Sequence, residues 1–548
     1  RAAIGEDDVS RRTPALLYGL NTLGAVVGAS VSTFLLLKIF GARFSLWFAC
    51  LINALVALAA RWLDRRFQEQ DEAAREEQHA APEVGHEIII STTAAATTPP
   101  APLDSTLASN DEERERLRAA RALTPFVLTA AGGVGFSFLL MELVWYRVLS
   151  PLLGGSSYTF GLILAVALFG IGIGGLLYTL THKDRPPLLA GFAMTCALEA
   201  ILIASPYALG DRIALLALHL HPLGIHGLGG HLLGWTVVTA IVVLPAAIVS
   251  GFQFPLLIAL LGRARVSVGR HVGRAYAANT VGAIVGSLAG GFFLIPRLGA
   301  LGAWRMTVWI LVLLGAASLF LHAQLETERR FRIGPALTAL VTLAMLHGSV
   351  GPTAFWRHSP IGAGRANGVL ASATINGVCA AMDERRQGVS WSTDGRESAV
   401  ALYDLNDTAF LVNGKSDGAA VLDGGTQVMG GVLPALLQPE PVRRALVIGL
   451  GTGSTAGWLA TLPSVERVDV VELEPAILDV ARRCEAVNNR VLDNPKVNVI
   501  IGDAREVLLT TPERYDLIFS EPSNPYRAGI ASLFTQEFYR AVEARLAD

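Results

Sequence analysis

Long apolar runs alternate with short polar segments along residues 1–350. A run of about 20 residues is long enough to cross a bilayer as a helix. A stretch at 64–123 breaks the alternation, because it is first charged and then rich in Thr and Pro. It predicts a polar linker followed by the start of a solvated helix. The whole pattern predicts eight or nine transmembrane helices, near 14–37, 43–62, 125–150, 156–180, 187–209, 232–261, 275–296, 302–322 and, in a shorter run, 333–350.

Two of the apolar segments repeat one another at a fixed offset. Residues 18–41 read YGLNTLGAVVGASVSTFLLLKIFG, and residues 276–299 read YAANTVGAIVGSLAGGFFLIPRLG. The shared glycines lie four residues apart, which lets helices approach closely, and repeated helical units build many transporter folds. We therefore expect residues 1–63 to end one half and residues 124–350, with six to seven helices, to form the second half. This layout resembles the six-plus-six arrangement of the major facilitator fold.

Composition supports a membrane protein and excludes several other classes. Hydrophobic residues make up 52% and charged residues 16% of the 548 residues, whereas an average soluble domain has about 25% charged residues. A disordered chain, a coiled coil and a nucleic-acid-binding scaffold are therefore excluded. The four cysteines lie far apart and without CxxC spacing, so neither a disulfide framework nor a metal site is predicted.

Basic residues in the short loops predict the orientation of the helices. Most of them follow the second, fourth, sixth and eighth helix, and the positive-inside rule makes that side cytoplasmic. If 333–350 also crosses the bilayer, the chain after residue 351 lies on the opposite side, so the sequence leaves the side of the C-terminal part open. The chain begins at Arg1 without Met, and we expect the natural protein to extend beyond both ends.

Beyond residue 351 the chain takes on the composition of a soluble domain. A connector at 351–384 precedes β-like runs and turns at 385–440, which predict a small β-rich subdomain. From 441 to 548 strand and helix signals alternate, as in a parallel α/β domain of Rossmann type. The expected architecture is a polytopic α-helical membrane bundle followed by a C-terminal Rossmann-like, methyltransferase-type α/β domain. The sequence ends after the fourth predicted strand, so we expect that domain to be incomplete.

Three strand ends in the α/β region carry residues that suit a nucleoside ligand. A glycine-rich turn, GLGTG, follows the strand ALVI and allows close approach of a ligand to the backbone. An acid ending the second strand can accept hydrogen bonds from ribose hydroxyls, and an acid ending the third can accept from an adenine amine. A structural sheet without a ligand is the alternative. The predicted nucleoside-binding residues are Gly449, Gly451, Thr452, Gly453, Glu472, Asp503 and Ala504.

A further carboxylate ends the fourth predicted strand, in the sequence Glu521-Pro522-Ser523-Asn524-Pro525. At that edge of the sheet Glu521 is expected to face the same crevice as the glycine-rich turn. It could act there as a general base toward an amine, or bind a cation. A structural cap at the end of the strand is the alternative.

The stretch 385–541 resembles the spermidine/spermine synthases, which are polyamine aminopropyltransferases, and is most similar to a bacterial branch fused to a membrane region. The matching segments are LVNGKSDGAAVLDGGTQVMGGVLPALL, ALVIGLGTG, VDVVELEP, GDAREVL and YDLIFSEPSNPYRAGIASLFTQEFY, with WYRVLSPLLGGSSYTFGLILAVALFGIGIGG in the membrane part. The resemblance implies a β-rich domain on a methyltransferase-like Rossmann domain. It also implies decarboxylated S-adenosylmethionine as donor, a diamine such as putrescine as acceptor, and a bacterial inner membrane location.

The resemblance implies roles for individual residues as well. Glu472 matches the family's ribose-binding acid and Asp503 its adenine-binding acid. The catalytic residues would be Glu521, as the base that deprotonates the acceptor amine, and Asn524, as an acceptor contact, while Asp417 and Gln427 fall at substrate-binding positions.

The chain departs from the family pattern at the positions closest to the chemistry. The family's Asp-Ser-Ser-Asp-Pro stands here as 521–525, so the base gains a methylene and Asn524 replaces an acid. The acid of the family's glycine-rich loop is Thr452, which also suits a methyltransferase that uses S-adenosylmethionine. Activity therefore stays open, and a transporter or sensor whose domain binds a polyamine or nucleoside without catalysis is the alternative.

Overall fold

The computed structural model describes residues 12–80, 103–181, 188–261, 268–325, 333–364, 374–405, 407–525, 527 and 529–547. The chain forms two compact units, one of residues 28–119 and one of residues 1–27 with 120–548. The helices of the N-terminal region are α1 (Arg12–Val31), α2 (Leu37–Ala80), α3 (Leu103–Leu153), α4 (Ser157–Thr181), α5 (Leu189–Leu209), α6 (Arg212–Leu220), α7 (Leu228–Leu261), α8 (Val268–Ala289), α9 (Ile295–Leu325) and α10 (Ile333–Gly348).

Among the described residues, six helical stretches are long and apolar enough to cross a membrane. Two of them, Ala15–Arg66 with 52 residues and Val272–Leu325 with 54, each contain two of the predicted runs. The helical geometry is interrupted between those runs at Gly41 and Gly299, whose φ angles of 69° and 72° are accessible mainly to glycine, so each stretch consists of two helices joined at a kink. The last predicted run forms the 16-residue helix α10, which is shorter than the about 20 residues that span a bilayer.

The polar stretch at 64–123 is helical at both of its ends. A helix start was expected at its C-terminal end, whereas a flexible linker was expected at its N-terminal end. Helix α2 continues to Ala80 and α3 begins at Leu103, while 81–102 lie outside the described residues. Both ends are rich in Glu, Ala and Arg, which are strong helix formers. The helix propensity of these residues explains why this charged stretch forms helices and not an irregular chain.

The internal repeat is present in the backbone conformation as well as in the sequence. A π-helical turn lies at Ser32–Leu36 in the first copy and at Gly290–Leu294 in the second. Each copy then reaches its left-handed glycine, Gly41 or Gly299. These features recur at the same offset as the sequence repeat, so the two copies encode the same kinked pair of helices.

Helices α4 and α7 pack through glycines that bring their backbones together. A Cβ atom placed on Gly174 would lie 2.0 Å from the carbonyl oxygen of Ile248, and one placed on Gly251 would lie 2.2 Å from that of Ile171. No side chain larger than hydrogen fits at either position, so these small residues permit the close approach of the two helices.

The C-terminal region contains two sheets. Strands β1 (Val389–Asp394), β2 (Ala399–Asp404), β3 (Thr408–Val412) and β4 (Lys415–Ala419) form an antiparallel sheet in that order. Strands β5 (Arg444–Ile448), β6 (Arg467–Glu472), β7 (Val497–Ile501) and β8 (Leu517–Ser520) form a parallel sheet in the order β7-β6-β5-β8. The helices are α11 (Ala354–Arg357), α12 (Ile375–Gly388), α13 (Gly424–Leu437), α14 (Ser454–Leu459), α15 (Ile477–Arg483), α16 (Ala504–Thr510) and α17 (Gln536–Glu543).

Buried polar contacts join the helical region to the C-terminal domain. The carboxylate of Asp394, at the end of β1, accepts the backbone N–H of Ala300 (2.8 Å) and pairs with Arg357 (2.7 Å). Asp211, just before α6, pairs with Arg386 of α12 (2.7 Å). These contacts hold the antiparallel sheet against the ends of the apolar helices.

Candidate active site

The carboxyl ends of the four parallel strands lie at one edge of the C-terminal sheet. Ile448 of β5 pairs with Val471 of β6 on one side and with Ser520 of β8 on the other. The loops that follow these three strands therefore start next to one another. This edge is where open α/β sheets bind ligands.

The glycine-rich turn after β5 depends on its glycines. Gly449, Gly451 and Gly453 have φ angles of 96°, 53° and 83°, all in the left-handed region. A Cβ atom on Gly453 would also lie 2.6 Å from Val491 Cγ1. Asn488 stabilises the turn by donating its amide to the carbonyl oxygen of Thr452 (2.7 Å). Gly449 is exposed and Gly451 is partly exposed, so the backbone of the turn is accessible at these two positions.

Glu472 lies beside this turn and is nearly buried, with 9% of its surface exposed. One carboxylate oxygen accepts the N–H of Leu450 (2.9 Å) and the other accepts the N–H of Glu474 (2.9 Å). Burial raises the pKa of Glu472 above its ordinary value, against the lowering effect of the two N–H donors. The side chain therefore holds the glycine-rich turn in position, and its predicted contact with ribose would use its remaining lone pairs.

Asp503 begins α16, where it caps the helix. Its carboxylate accepts the N–H of Arg505 (2.9 Å) and pairs with the Arg505 guanidinium (2.5 Å). Hydrogen bonding to that guanidinium lowers the pKa of Asp503. Ala504, also predicted to contact the nucleoside, is the first residue of α16 and is buried. Arg505 was not predicted from the sequence, and it occupies the carboxylate assigned to adenine.

Glu521 follows β8 directly and is exposed, as is Asn524. Partial desolvation and the Asp423 carboxylate raise the pKa of Glu521 above its ordinary value. Asp423 precedes α13, and its carboxylate accepts the N–H of Ala419 (2.7 Å). The end of β8 and the start of α13 thus bring two carboxylates close together at this edge.

Thr452 and Gln427 contact each other across the crevice. The Thr452 hydroxyl donates to Gln427 Oε1 (2.5 Å), and Gln427 Nε2 donates to the carbonyl oxygen of Ala419 (3.3 Å). The glycine-rich turn is therefore joined to the β4–α13 segment. The predicted cofactor-binding and substrate-binding residues are adjacent here, although they lie far apart in the sequence.

Asp417 lies on β4 at the centre of a charged cluster. Its carboxylate pairs with Lys415 (2.6 Å) and with Arg527 (2.6 Å), and it accepts the Ser523 hydroxyl (3.0 Å). Lys415 also donates to Ser523 (3.2 Å). We call Lys415, Asp417, Ser523 and Arg527 the β4–β8 charge cluster. It connects the predicted substrate-binding residue to the predicted catalytic segment.

Sequence reasoning missed three members of this cluster. Lys415 and Asp417 are two residues apart on a strand and therefore share a face, which was a usable signal. Ser523 lay inside a recognised motif but had no assigned role. Arg527 gave no local signal, because only the folding of the loop after β8 brings it to Asp417 and to the carbonyl oxygen of Val412.

Several known proteins are similar to this chain in sequence. The spermine/spermidine synthase domain matches residues 427–548. Polyamine aminopropyltransferase 2 of Streptomyces coelicolor is 28% identical over 439 residues, which cover 77% of this chain and 71% of that protein. Polyamine aminopropyltransferase of Mycobacterium tuberculosis is 28% identical over 455 residues, 80% of this chain and 79% of that protein.

One further relative and one solved structure are also similar to parts of this chain. Polyamine aminopropyltransferase 1 of Ralstonia nicotianae is 26% identical over 465 residues, 82% of this chain and 78% of that protein. A crystal structure of spermidine synthase in complex with the transition-state analogue AdoDATO covers 29% of this chain and 54% of that chain, with 22% identity and a TM-score of 0.27. Residues 427–548 thus match the spermine/spermidine synthase domain, and most of the chain is similar in sequence to proteins named polyamine aminopropyltransferase.

Proposed function

We propose that this chain is a membrane-bound transferase that moves an aminopropyl or related group from an S-adenosylmethionine-type donor to an amine. The observation that carries the proposal is one sheet edge at which Glu472, the glycine-rich turn and Glu521 lie on adjoining loops. The relatives named polyamine aminopropyltransferase support the reaction class. In the described part of the chain, six apolar helices long enough to cross a bilayer support the membrane location.

The residues present fit a sulfonium nucleoside as donor. The glycine-rich turn offers bare backbone, and a carboxylate has about four lone-pair directions, of which the bonds from Leu450 and Glu474 take two at Glu472. The ribose hydroxyls can use the others. Asp503 can accept an adenine amine once Arg505, whose side chain is 47% exposed, moves aside.

In this proposal Glu521 acts as the base. Its raised pKa makes it a stronger base than an ordinary carboxylate, which favours proton removal from an ammonium group. The freed amine nitrogen then bonds to the donor carbon beside the sulfonium, the C–S bond breaks, and its electron pair stays on sulfur. The products are the alkylated amine and a neutral thioether, and the proton rests on Glu521.

The test uses the full chain in lipid nanodiscs. Decarboxylated S-adenosylmethionine and S-adenosylmethionine are offered separately with putrescine or other amines, and thioether release is followed by mass spectrometry. We expect release from the decarboxylated donor, and a loss of about 10²-fold or more in the Glu521→Gln variant. The matched control is Glu466→Gln, which changes an acid that is 64% exposed at the surface.

Three other outcomes would each change the conclusion. Methyl transfer from S-adenosylmethionine would make the chain a methyltransferase. Donor or polyamine binding by calorimetry without any thioether release would favour a binding module that serves a transporter or sensor. Absence of both binding and release would overturn the proposal.

A further inference from the structure

The β4–β8 charge cluster carries more positive than negative charge. Lys415 and Arg527 contribute two cations and Asp417 one carboxylate, and each of the three side chains is only 10–11% exposed. Within the described ranges, Asp417 is the one acid within ion-pair distance of either cation. A charge held this far from water is costly unless it is compensated. The cluster therefore favours an additional anion.

Most of the hydrogen-bonding capacity of Asp417 is taken by groups of the protein, which leaves little of it for a substrate ammonium. Its Oδ1 takes Lys415 and the Ser523 hydroxyl, and its Oδ2 takes Arg527. Both carboxylate oxygens are thus engaged by charged or hydroxyl donors of the protein. The position that the family resemblance assigns to an amine substrate presents cationic groups here instead.

The negative charges of the site lie at its other end. Glu521 is two residues before Ser523 in the chain, and the Asp423 carboxylate is near enough to raise the pKa of Glu521. An ammonium group suits the surroundings of these two acids. The crevice thus pairs an acidic end, where the base lies, with a cationic end at Lys415 and Arg527.

The cationic end is on the acceptor side of the sheet. The strand order is β7-β6-β5-β8, and the predicted nucleoside acids follow β6 and β7. Ser523 and Arg527 follow β8, at the opposite edge. A donor nucleoside placed at Glu472 and Asp503 is therefore separated from the cluster by the glycine-rich turn.

The geometry points to an acceptor that carries both an amine and a carboxylate, of the ω-amino acid class, with Lys415 and Arg527 as specificity-determining residues. This inference rests on the proposed function. The amine nitrogen forms the new bond to the donor carbon, the C–S electron pair stays on sulfur, and the ammonium proton passes to Glu521. The carboxylate takes no part in bond making; it neutralises the excess charge of the cluster.

A matched pair of acceptors tests the inference. Putrescine and 5-aminopentanoate have the same four-methylene chain and differ only in an ammonium or a carboxylate at the far end. The full chain in nanodiscs is assayed with decarboxylated S-adenosylmethionine for thioether release. Binding of each acceptor is measured by calorimetry with the product thioether present. We expect 5-aminopentanoate to be favoured about tenfold or more in kcat/KM and in affinity.

Variants separate charge recognition from a merely structural role. Lys415→Met and Arg527→Met should each lower kcat/KM for 5-aminopentanoate about tenfold without lowering it for putrescine, whereas Arg527→Lys should keep the preference. Arg482→Met, at a side chain that is 63% exposed on α15, should change neither value. If Lys415→Met lowers kcat/KM for S-adenosylmethionine as donor but changes it for neither acceptor, the cluster binds the carboxylate of the donor and the inference is wrong.

The remaining outcomes also decide the matter. A wild-type preference for putrescine, or equal losses for both acceptors in Lys415→Met, would overturn the inference. If thioether release fails with every acceptor, the proposed function fails, and the calorimetric preference between the two acceptors still supports or overturns the charge assignment.

Discussion

Asp394 is the side chain whose removal should most directly loosen the C-terminal domain from the helical region. It is 6% exposed, and one of its carboxylate oxygens accepts the N–H of Ala300 and pairs with Arg357. Ala300 follows the left-handed Gly299, so this N–H is at the start of the helical segment after the bend. Removing the carboxylate leaves that N–H and the Arg357 guanidinium without their acceptor.

The magnitude follows from the two contacts. Breaking a buried ion pair by removing one partner typically costs about 3–5 kcal/mol, and Arg357 is 17% exposed, so water recovers part of the loss. We expect Asp394→Ala to destabilise the joint by about 3 kcal/mol. Asp394→Asn keeps an oxygen for the Ala300 N–H but loses the charge, and it should cost about half as much.

Hydrogen exchange measured by mass spectrometry is the direct assay. A loss of about 3 kcal/mol in a local opening speeds exchange of the amides after Gly299 by about 10²-fold. Asp383→Asn is the matched control, because that acid is 62% exposed and its ion pair lies at the surface. Wild-type exchange of these amides in Asp394→Ala would show that the carboxylate does not hold the joint.

Three further changes have expected outcomes. Gly453→Ala should lower the free energy of unfolding by about 1–3 kcal/mol, because a Cβ atom at φ 83° would meet Val491. Thermal melting measures this loss, and calorimetry should show that nucleoside binding is abolished. Unchanged melting would contradict this. The pKa of Glu521 is raised, so kcat/KM should fall as pH drops through a value above that of an ordinary carboxyl group; a pH–rate profile that matches an unperturbed acid would refute it. Burial and Arg357 lower the pKa of His358. The contribution of His358 to stability should therefore be complete above its unfolded-state pKa and should decline as pH falls below that value. A His358→Phe variant should lose this decline in pH-dependent melting.

The membrane-like region was predictable because length and apolarity act locally. Within the described residues, each of the apolar runs contains a helix. The sequence also predicted breaks at 38–43 and 297–301. Gly41 and Gly299 interrupt the helical geometry in these two segments by taking positive φ angles. The repeat at a fixed offset was the signal that both places would behave alike.

The C-terminal region shows the same division. Sequence alone determined the helical region, the alternation of strands and helices after residue 441, and the strand-end positions of Glu472, Asp503 and Glu521, because periodicity and turn residues are local properties. Only the tertiary structure decided which charges meet. Lys415, Asp417 and Arg527 come together because strand β4 lies beside the loop after β8, and Asp503 is paired because Arg505 folds back onto it. Contacts between segments about 110 residues apart depend on chain packing, and no local pattern in the sequence encodes them.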